Sequence, residues 1–229
     1  MYFWPQNAGR KLRIFNLSSF NSIGNNLLQE LRDRDLQKNK WVFRRNLYQL
    51  GQLLAYELSK TLPYHSKIIQ TPLDRHEIDI LTNPPTLITI LRAAIPFYEG
   101  VQEIFKNAET GFIGAVREKE GDLVKAKLTY YSIPETEGKD VVLIDPMLAT
   151  GKSIVKIYDS LLSKMNYRSL HLITAVAAPE GISHLKQKLP TDLNLWLGAL
   201  DNKLDEHYYI VPGLGDAGDL SFGESKIKS

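Results

Sequence analysis

The chain has 229 residues, of which 43% are hydrophobic and 24% charged, enough for one well-filled α/β domain. Its 28 basic and 26 acidic residues are interspersed and leave a net charge of +2, which argues against a protein that coats a polyanion. Cysteine is absent, so disulfides, zinc fingers and thiol nucleophiles are excluded.

Neither a targeting segment nor a membrane span is predicted. The opening residues Met1-Tyr-Phe-Trp-Pro lack a basic region followed by an apolar run, and no stretch approaches the roughly 18 apolar residues that a membrane span needs. We therefore expect a cytoplasmic protein with no membrane partner. We also expect a single domain over residues 1–229, in which the polar, irregular residues 1–39 form an N-terminal arm packed on a partner or on the body.

Hydrophobic periodicity predicts alternating helices and strands after the arm. Leu47, Leu50 and Leu54 recur at helical spacing before Pro63 ends the pattern, and later short apolar runs indicate buried parallel strands. In chain order we predict a helix over 41–61, a strand over 86–91, a helix over 97–108, strands over 111–116, 125–132 and 140–145, a helix over 153–164, a strand over 170–177, a helix over 180–189 and a strand over 193–200. This alternation predicts an α/β fold, a doubly wound and mainly parallel sheet flanked by helices, with a small hood.

The strongest local signal is a buried strand, a short loop and a helix start between Val141 and Ser153. Backbone N–H groups at such a helix start have no intrahelical partners, and the helix dipole adds partial positive charge there. Gly151 allows close approach of the backbone, and the hydroxyls of Thr150 and Ser153 can add hydrogen bonds. The segment therefore predicts a phosphate site, with Asp145 placed for the hydroxyls of an attached sugar.

Two other interpretations of Thr150-Gly-Lys-Ser exist. The motif in isolation is also compatible with an ordinary helix start capped by serine, with Asp145 as a turn residue. A nucleotide P-loop, which would indicate a nucleoside kinase or ATPase, requires glycine where this chain has Pro146. Proline lacks the N–H and the conformational freedom that this loop uses, so the kinase hypothesis is disfavoured.

Two segments closely resemble the uracil phosphoribosyltransferases, which have the type I phosphoribosyltransferase fold. Asp145-Pro-Met-Leu-Ala-Thr-Gly resembles that family's phosphoribosyl pyrophosphate loop, and Tyr209-Ile-Val-Pro-Gly-Leu-Gly-Asp-Ala-Gly-Asp, followed by Phe222-Gly223, resembles its uracil-binding segment. Supporting matches occur at 53–57, 90–93, 113–114 with Arg117, and 177–181. They follow the expected order over residues 40–223.

The resemblance implies an enzyme of pyrimidine salvage, a pentosyltransferase that moves ribose 5-phosphate from phosphoribosyl pyrophosphate to uracil and releases UMP and pyrophosphate. No side-chain nucleophile is required. It implies Mg²⁺ held mainly through the donor, with no protein ligand, and a homodimer whose other partners are small molecules and not nucleic acid. A rigid glycine-rich main chain suits selection of uracil over cytosine, because an amino group in place of a carbonyl would leave buried groups unpaired.

The resemblance also implies the roles of individual residues. The predicted donor-binding residues are Arg92, Arg117, Asp145, Pro146, Met147, Leu148, Ala149, Thr150, Gly151, Lys152, Ser153 and Asp216. The predicted uracil-binding residues are Ile210, Gly215, Asp216 and Ala217. Asp145, Arg92 and Arg117 are the predicted catalytic residues, although a lone arginine after a strand is more often a surface ion-pair partner.

The chain departs from the family pattern at several positions. Ala94 and Lys152 stand where the family has glycine, and Val116 stands where it has tyrosine. Residues 118–122, Glu-Lys-Glu-Gly-Asp, stand where the family has a stretch of acidic residues and threonine. These departures could weaken activity or shift the base preference. The alternative function is therefore a regulator with the same fold that senses nucleotides and binds RNA. The five histidines show no metal-like or triad-like spacing, so we expect them to be structural or on the surface.

Overall fold

A computed structural model of the chain describes residues 12–120, 123–189 and 193–224, without the side chains of 116–127. Its helices are α1 (Ile23–Arg32), α2 (Lys40–Ser59), α3 (Ile95–Ile104), α4 (Lys152–Ser160), α5 (Pro179–Lys188) and α6 (Ala217–Phe222). Its strands are β1 (Arg13–Asn16), β2 (Tyr64–Gln70), β3 (Arg75–Leu81), β4 (Thr86–Leu91), β5 (Thr110–Glu120), β6 (Leu123–Ser132), β7 (Asp140–Ile144), β8 (Met147–Leu148), β9 (Ser169–Ala177), β10 (Leu193–Leu200), β11 (Lys203–Leu204) and β12 (Ile210–Val211).

The main sheet has the strand order β1-β10-β9-β7-β4-β5-β6, with the short β8 also paired to β9. Every pairing in it is parallel except that of β6 with β5. The prediction of a mainly parallel α/β sheet flanked by helices is therefore confirmed. Two small antiparallel ribbons, β2 with β3 and β11 with β12, lie outside the main sheet, and the second forms the hood that leads into α6.

Helices cover both faces of the sheet, as the central strand β7 shows. Alternate residues of a strand point to opposite faces. Val142 and Ile144 pack in the cluster that contains the leucines of α1 and α2, whereas Val141 and Leu143 pack with Ile157 of α4 and the apolar face of α5. All five residues of β7 are buried, so this strand is anchored on both faces just before the phosphate loop.

No helix in the described residues is long and apolar enough to cross a bilayer.

The long helix α2 begins and packs as its sequence predicts. The side chain of Asn39 accepts hydrogen bonds from the N–H groups of Trp41 and Val42, which caps the helix. Its leucine face is fully buried, each side chain contributing about 1.5–3 kcal/mol of burial free energy. A Cβ atom at Gly100 of α3 would lie 1.8 Å from the carbonyl oxygen of Tyr48, so glycine is needed where the two helices touch.

The expected irregularity of residues 1–39 is wrong for the described part of that segment, residues 12–39. Strand β1 joins the sheet edge beside β10, and α1 starts at Ser22, whose hydroxyl accepts the N–H of Gly24. Leu27, Leu28 and Leu31 bury the inner face of α1 against α2. The β2–β3 ribbon was also missed, because most of its residues are exposed, β2 has no apolar alternation and β3 has only the short alternation Glu77-Ile78-Asp79-Ile80.

Candidate active site

The phosphate loop follows β7 and is held to the neighbouring strand by backbone hydrogen bonds. The carbonyl of Pro146 accepts the N–H groups of Ala175 and Val176, at 3.1 Å each. The carbonyl of Leu148 accepts the N–H of Ala178 at 2.9 Å, and the loop runs parallel to β9 as the short strand β8. These backbone hydrogen bonds hold the loop in place, so phosphate binding would require little reorganisation of it.

Gly151 sits at the turn from this loop into α4, where its φ of 72° lies in the left-handed region that favours glycine. It supplies no capping side chain, and the N–H of Lys152 makes only a long hydrogen bond, 3.4 Å, to the Thr150 hydroxyl, so the first turn of α4 can bind an anion. A Cβ atom at Gly181 would lie 2.3 Å from the carbonyl oxygen of Ala149, so α5 supports the loop by direct backbone contact. This geometry fits the predicted phosphate site.

A cleft of about 170 Å³ lies beside the loop and joins three segments that are distant in sequence. They are the β4–α3 loop, the phosphate loop with the start of α4, and the start of α6. The cleft is lined by Ala93, residues 145–151, Ser153, Ile154, Asp216, Ala217 and Gly218. The structure therefore brings most of the predicted donor residues together with two of the predicted uracil residues. Lys152 is exposed beside the cleft and is not part of its lining.

The glycine-rich segment between β12 and α6 forms the wall opposite the phosphate loop. Gly213 and Gly215 have φ values of 64° and 87°, which a residue with a side chain adopts only with strain. The carboxylate of Asp216 accepts the N–H groups of Gly218 and Asp219 and so starts α6. Gly215 lines a neighbouring open groove that shares Asp216 with the cleft, and Ile210 is buried on β12, outside the cleft lining.

Arg92 lies at the rim of the cleft, where it bonds to the end of α6. Its Nη2 donates to Asp219 Oδ1 at 3.1 Å and to the carbonyl of Gly223 at 2.9 Å, and its guanidinium lies 5.9 Å from the centre of the Phe222 ring. Such a half-exposed ion pair contributes at most about 1 kcal/mol. The guanidinium can therefore exchange Asp219 for a phosphate group. Arg117 lies on β5, and its side chain is outside the described residues.

Asp145 and the departures from the family pattern are placed as follows. Asp145 is half-buried on the cleft wall, with Oδ1 3.5 Å from the N–H nitrogen of Met147. Ala94 is buried with φ of −78° and ψ of −11°, an ordinary helical conformation that accommodates a methyl group. The side chain of Val116 and residues 121–122 lie outside the description. Lys152 has its ammonium 5.5 Å from the centre of the Tyr208 ring, a cation–π contact.

Replacing Lys152 by glycine is expected to leave the phosphate site functional. The left-handed position is Gly151, so the backbone N–H at residue 152 keeps its direction whatever its side chain. The ammonium lies against Tyr208 and does not line the cleft, so its loss raises the Michaelis constant of the donor by no more than about threefold. Initial-rate measurements across donor concentrations test this. A large gain in turnover would show instead that Lys152 obstructs the site.

Three residues of the cleft lining were absent from the predicted set, namely Ala93, Ile154 and Gly218. Gly218 lies within the glycine-rich match, and Ala93 directly follows Arg92, so both were adjacent to predicted positions. Ile154 carried only the helical periodicity of α4, which indicates core packing as readily as a site.

The fold and the cleft define an α/β protein in which a strand–loop–helix segment suited to an anion lies beside a second, glycine-rich segment. The chain belongs to the uracil phosphoribosyltransferase family, whose model matches residues 22–224. A uracil phosphoribosyltransferase of Porphyromonas gingivalis is 35% identical over 214 residues, covering 93% of this chain and 99% of the relative. One of Thermococcus kodakarensis is 38% identical over 201 residues, 86% of each. The solved structure of the AQ2163 protein from Aquifex aeolicus superposes with a TM-score of 0.82 at 29% identity, covering 93% of this chain and all of that one.

Proposed function

We propose that this chain catalyses transfer of ribose 5-phosphate from phosphoribosyl pyrophosphate to uracil, giving UMP and pyrophosphate. The observation that carries the proposal is the cleft in which residues 145–151 and Ser153 of the phosphate loop lie beside the glycine-rich segment at Asp216 to Gly218. One wall suits the phosphate and sugar of the donor, and the other suits a flat base. Membership of the family and the curated relatives support the same reaction.

In the proposed reaction the protein acts by holding two substrates in line. The N–H groups at the start of α4 bind the 5-phosphate, and the Asp145 carboxylate accepts hydrogen bonds from ribose hydroxyls. Main-chain groups around Gly215 and Ala217 hold uracil with a ring nitrogen toward the anomeric carbon. That nitrogen forms the new bond as the bond to pyrophosphate breaks, and its proton passes to the departing pyrophosphate or to solvent. Arg92 and Arg117 neutralise the leaving group.

The cleft suits a magnesium ion that arrives with the donor. Among the described residues, no group of three or more histidine, aspartate or glutamate side chains is placed to hold a metal. Two carboxylates, Asp145 and Asp216, nevertheless line the cleft and can bind water molecules of a hydrated ion. When bound through the donor oxygens, Mg²⁺ would offset negative charge on the departing pyrophosphate.

We also propose that the protein forms a homodimer through the β2–β3 ribbon. Ile69 and Ile78 are exposed on one face of this ribbon, and an apolar patch there suits contact with a second copy of the chain. An Ile78→Glu variant is therefore expected to shift the protein toward monomer. Sedimentation velocity of the variant and the parent measures the change, and an unaltered dimer would place the interface elsewhere.

A base-transfer assay tests the proposed reaction. Radiolabelled uracil, cytosine, hypoxanthine and orotate are each incubated with the donor, with Mg²⁺ or with excess chelator. UMP is expected from uracil alone, and only when Mg²⁺ is present. Turnover of none of the bases, with the donor shown to bind, would contradict the enzyme proposal and favour the nucleotide-sensing regulator, which an RNA mobility shift with and without UMP then tests.

A further inference from the structure

A buried charged group connects α1 to the uracil segment. The guanidinium of Arg32, at the end of α1, donates to both carboxylate oxygens of Asp201, at 2.6 and 3.0 Å. It also donates to the carbonyl of Gly213 at 2.9 Å, and Asp201 accepts the N–H of Gly213 at 2.9 Å. The Asp201 side chain is only 4% exposed, so these bonds are shielded from water. Both backbone groups of Gly213 are therefore held by side chains.

A second side chain of the same N-terminal segment binds the next residue. Gln37 lies in a 3-10 turn over Leu36–Lys38. With its amide oriented so that the nitrogen faces two carbonyls, it donates to Leu31 at 3.1 Å and to Leu214 at 2.8 Å. Two consecutive carbonyls of the uracil segment, those of Gly213 and Leu214, thus point toward residues 31–37.

This arrangement fixes the direction of two amide donors. In a trans peptide the carbonyl and the following N–H point in opposite directions. The N–H groups of Leu214 and Gly215 therefore point away from Arg32 and Gln37, and neither donates to another group that the structure describes. Since Gly213 and Gly215 are both glycine, their backbone torsions are loosely restrained by local sterics, so the direction depends on the two N-terminal side chains.

Two neighbouring N–H groups without a partner among the described residues match the chemistry of one class of ligand, a flat base with carbonyl oxygens at its edge. We propose that Arg32, Asp201 and Gln37 form a clamp that aims the N–H groups of Leu214 and Gly215 at uracil and so sets base affinity and selection. The inference rests on the proposed function. All three are positioning residues, because they act through the main chain of the uracil segment and touch no reacting atom.

Gln37 gives the most specific test, because Asp201 is buried and paired with the partly exposed Arg32, so removing either charge would also destabilise the fold. Gln37→Met keeps the side-chain volume and removes both hydrogen bonds. The matched control is Arg34→Gln, an exposed change on the same segment. For both variants and the parent, we would measure kcat, the Michaelis constants of uracil and of the donor, the ratio of uracil to cytosine use, and the thermal unfolding midpoint.

Gln37→Met is expected to raise the Michaelis constant of uracil roughly tenfold, while that of the donor changes by less than about twofold. The control is expected to match the parent. Lysine at position 32 cannot hydrogen-bond to both oxygens of Asp201 and to the carbonyl of Gly213 at once. Arg32→Lys is therefore also expected to raise the Michaelis constant of uracil. An unchanged uracil constant, or an equal rise for both substrates, would overturn the clamp. A parent chain that does not use uracil would instead overturn the proposed function, so the two failures are distinct.

Discussion

Asp145→Ala is expected to lower kcat by roughly 100-fold or more in the proposed reaction. The carboxylate stands on the cleft wall directly after β7, beside the N–H groups that would hold the 5-phosphate. Ribose hydroxyls donate more strongly to it as positive charge develops on the sugar ring, so its loss acts mainly on the transition state. The Michaelis constant of the donor is expected to change much less than kcat.

The matched control for this substitution is Asp159→Ala, an exposed aspartate on the outer face of α4. Both variants should remain folded and show the circular dichroism of the parent, because neither aspartate is part of the apolar core. Steady-state kinetics with uracil and the donor is then expected to show a low kcat for Asp145→Ala and the kcat of the parent for Asp159→Ala. Equal turnover in Asp145→Ala and the parent would mean that residues 145–153 do not form the donor site.

Acidification is expected to destabilise the fold through a buried histidine far from the cleft. Trp196 Nε1 donates to His171 Nδ1 at 3.1 Å, and His171 Nε2 lies 2.7 Å from the hydroxyl of Ser169. That hydroxyl donates to Asp140, which also binds Arg168. The imidazole is thus neutral, with its proton on Nε2. Since Ser169 gives its own proton to Asp140, the group is not a nucleophile activated by a base.

Burial lowers the pKa of His171 to about 4, against an opposing effect of the Asp140 carboxylate and a smaller lowering by Arg168. The unfolded chain takes up this proton near pH 6.5, whereas the folded chain resists it. The stabilising contribution is therefore complete above pH 6.5 and decreases as the pH falls toward 4. The total loss from this residue is about 3 kcal/mol over that interval.

Urea unfolding at pH 7, 6, 5 and 4.5 measures this effect when the parent is compared with His171→Asn. The asparagine oxygen can still accept from Trp196, but the side chain no longer titrates. The variant is expected to be less stable than the parent at pH 7, and the difference should shrink as the pH falls. A difference that stays constant with pH would show that His171 is not responsible.

Much of the fold could be predicted because its main elements carry strong periodic patterns. The apolar run of β7 and the leucine spacing of α2 are buried on the faces that the pattern predicts. Helix α1 had a usable signal, the Ser22 cap followed by Leu27, Leu28 and Leu31. It was not predicted as a helix because the charged residues 32–35 that follow gave the segment a polar, irregular character. The β2–β3 ribbon had only a weak signal, the alternation Glu77-Ile78-Asp79-Ile80, because few of its side chains enter the core.

The segments of the site could be predicted individually, but their contacts could not. The phosphate loop carries its chemistry in nine consecutive residues, Asp145 to Ser153, so local sequence was sufficient to suggest it. The pairing of Arg92 with Asp219 joins positions 127 residues apart, and that of Arg32 with Asp201 joins positions 169 apart. Such contacts depend on the order of the strands and the packing of the helices, which no local pattern encodes.

The position of bound UMP tests the central claim most directly. A crystal structure of the protein with UMP is expected to show the 5-phosphate on the N–H groups of residues 150–153 and the ribose hydroxyls at Asp145. The base is expected against the main chain of residues 214–217. UMP bound outside the cleft, or bound with its base at the phosphate loop, would contradict the account.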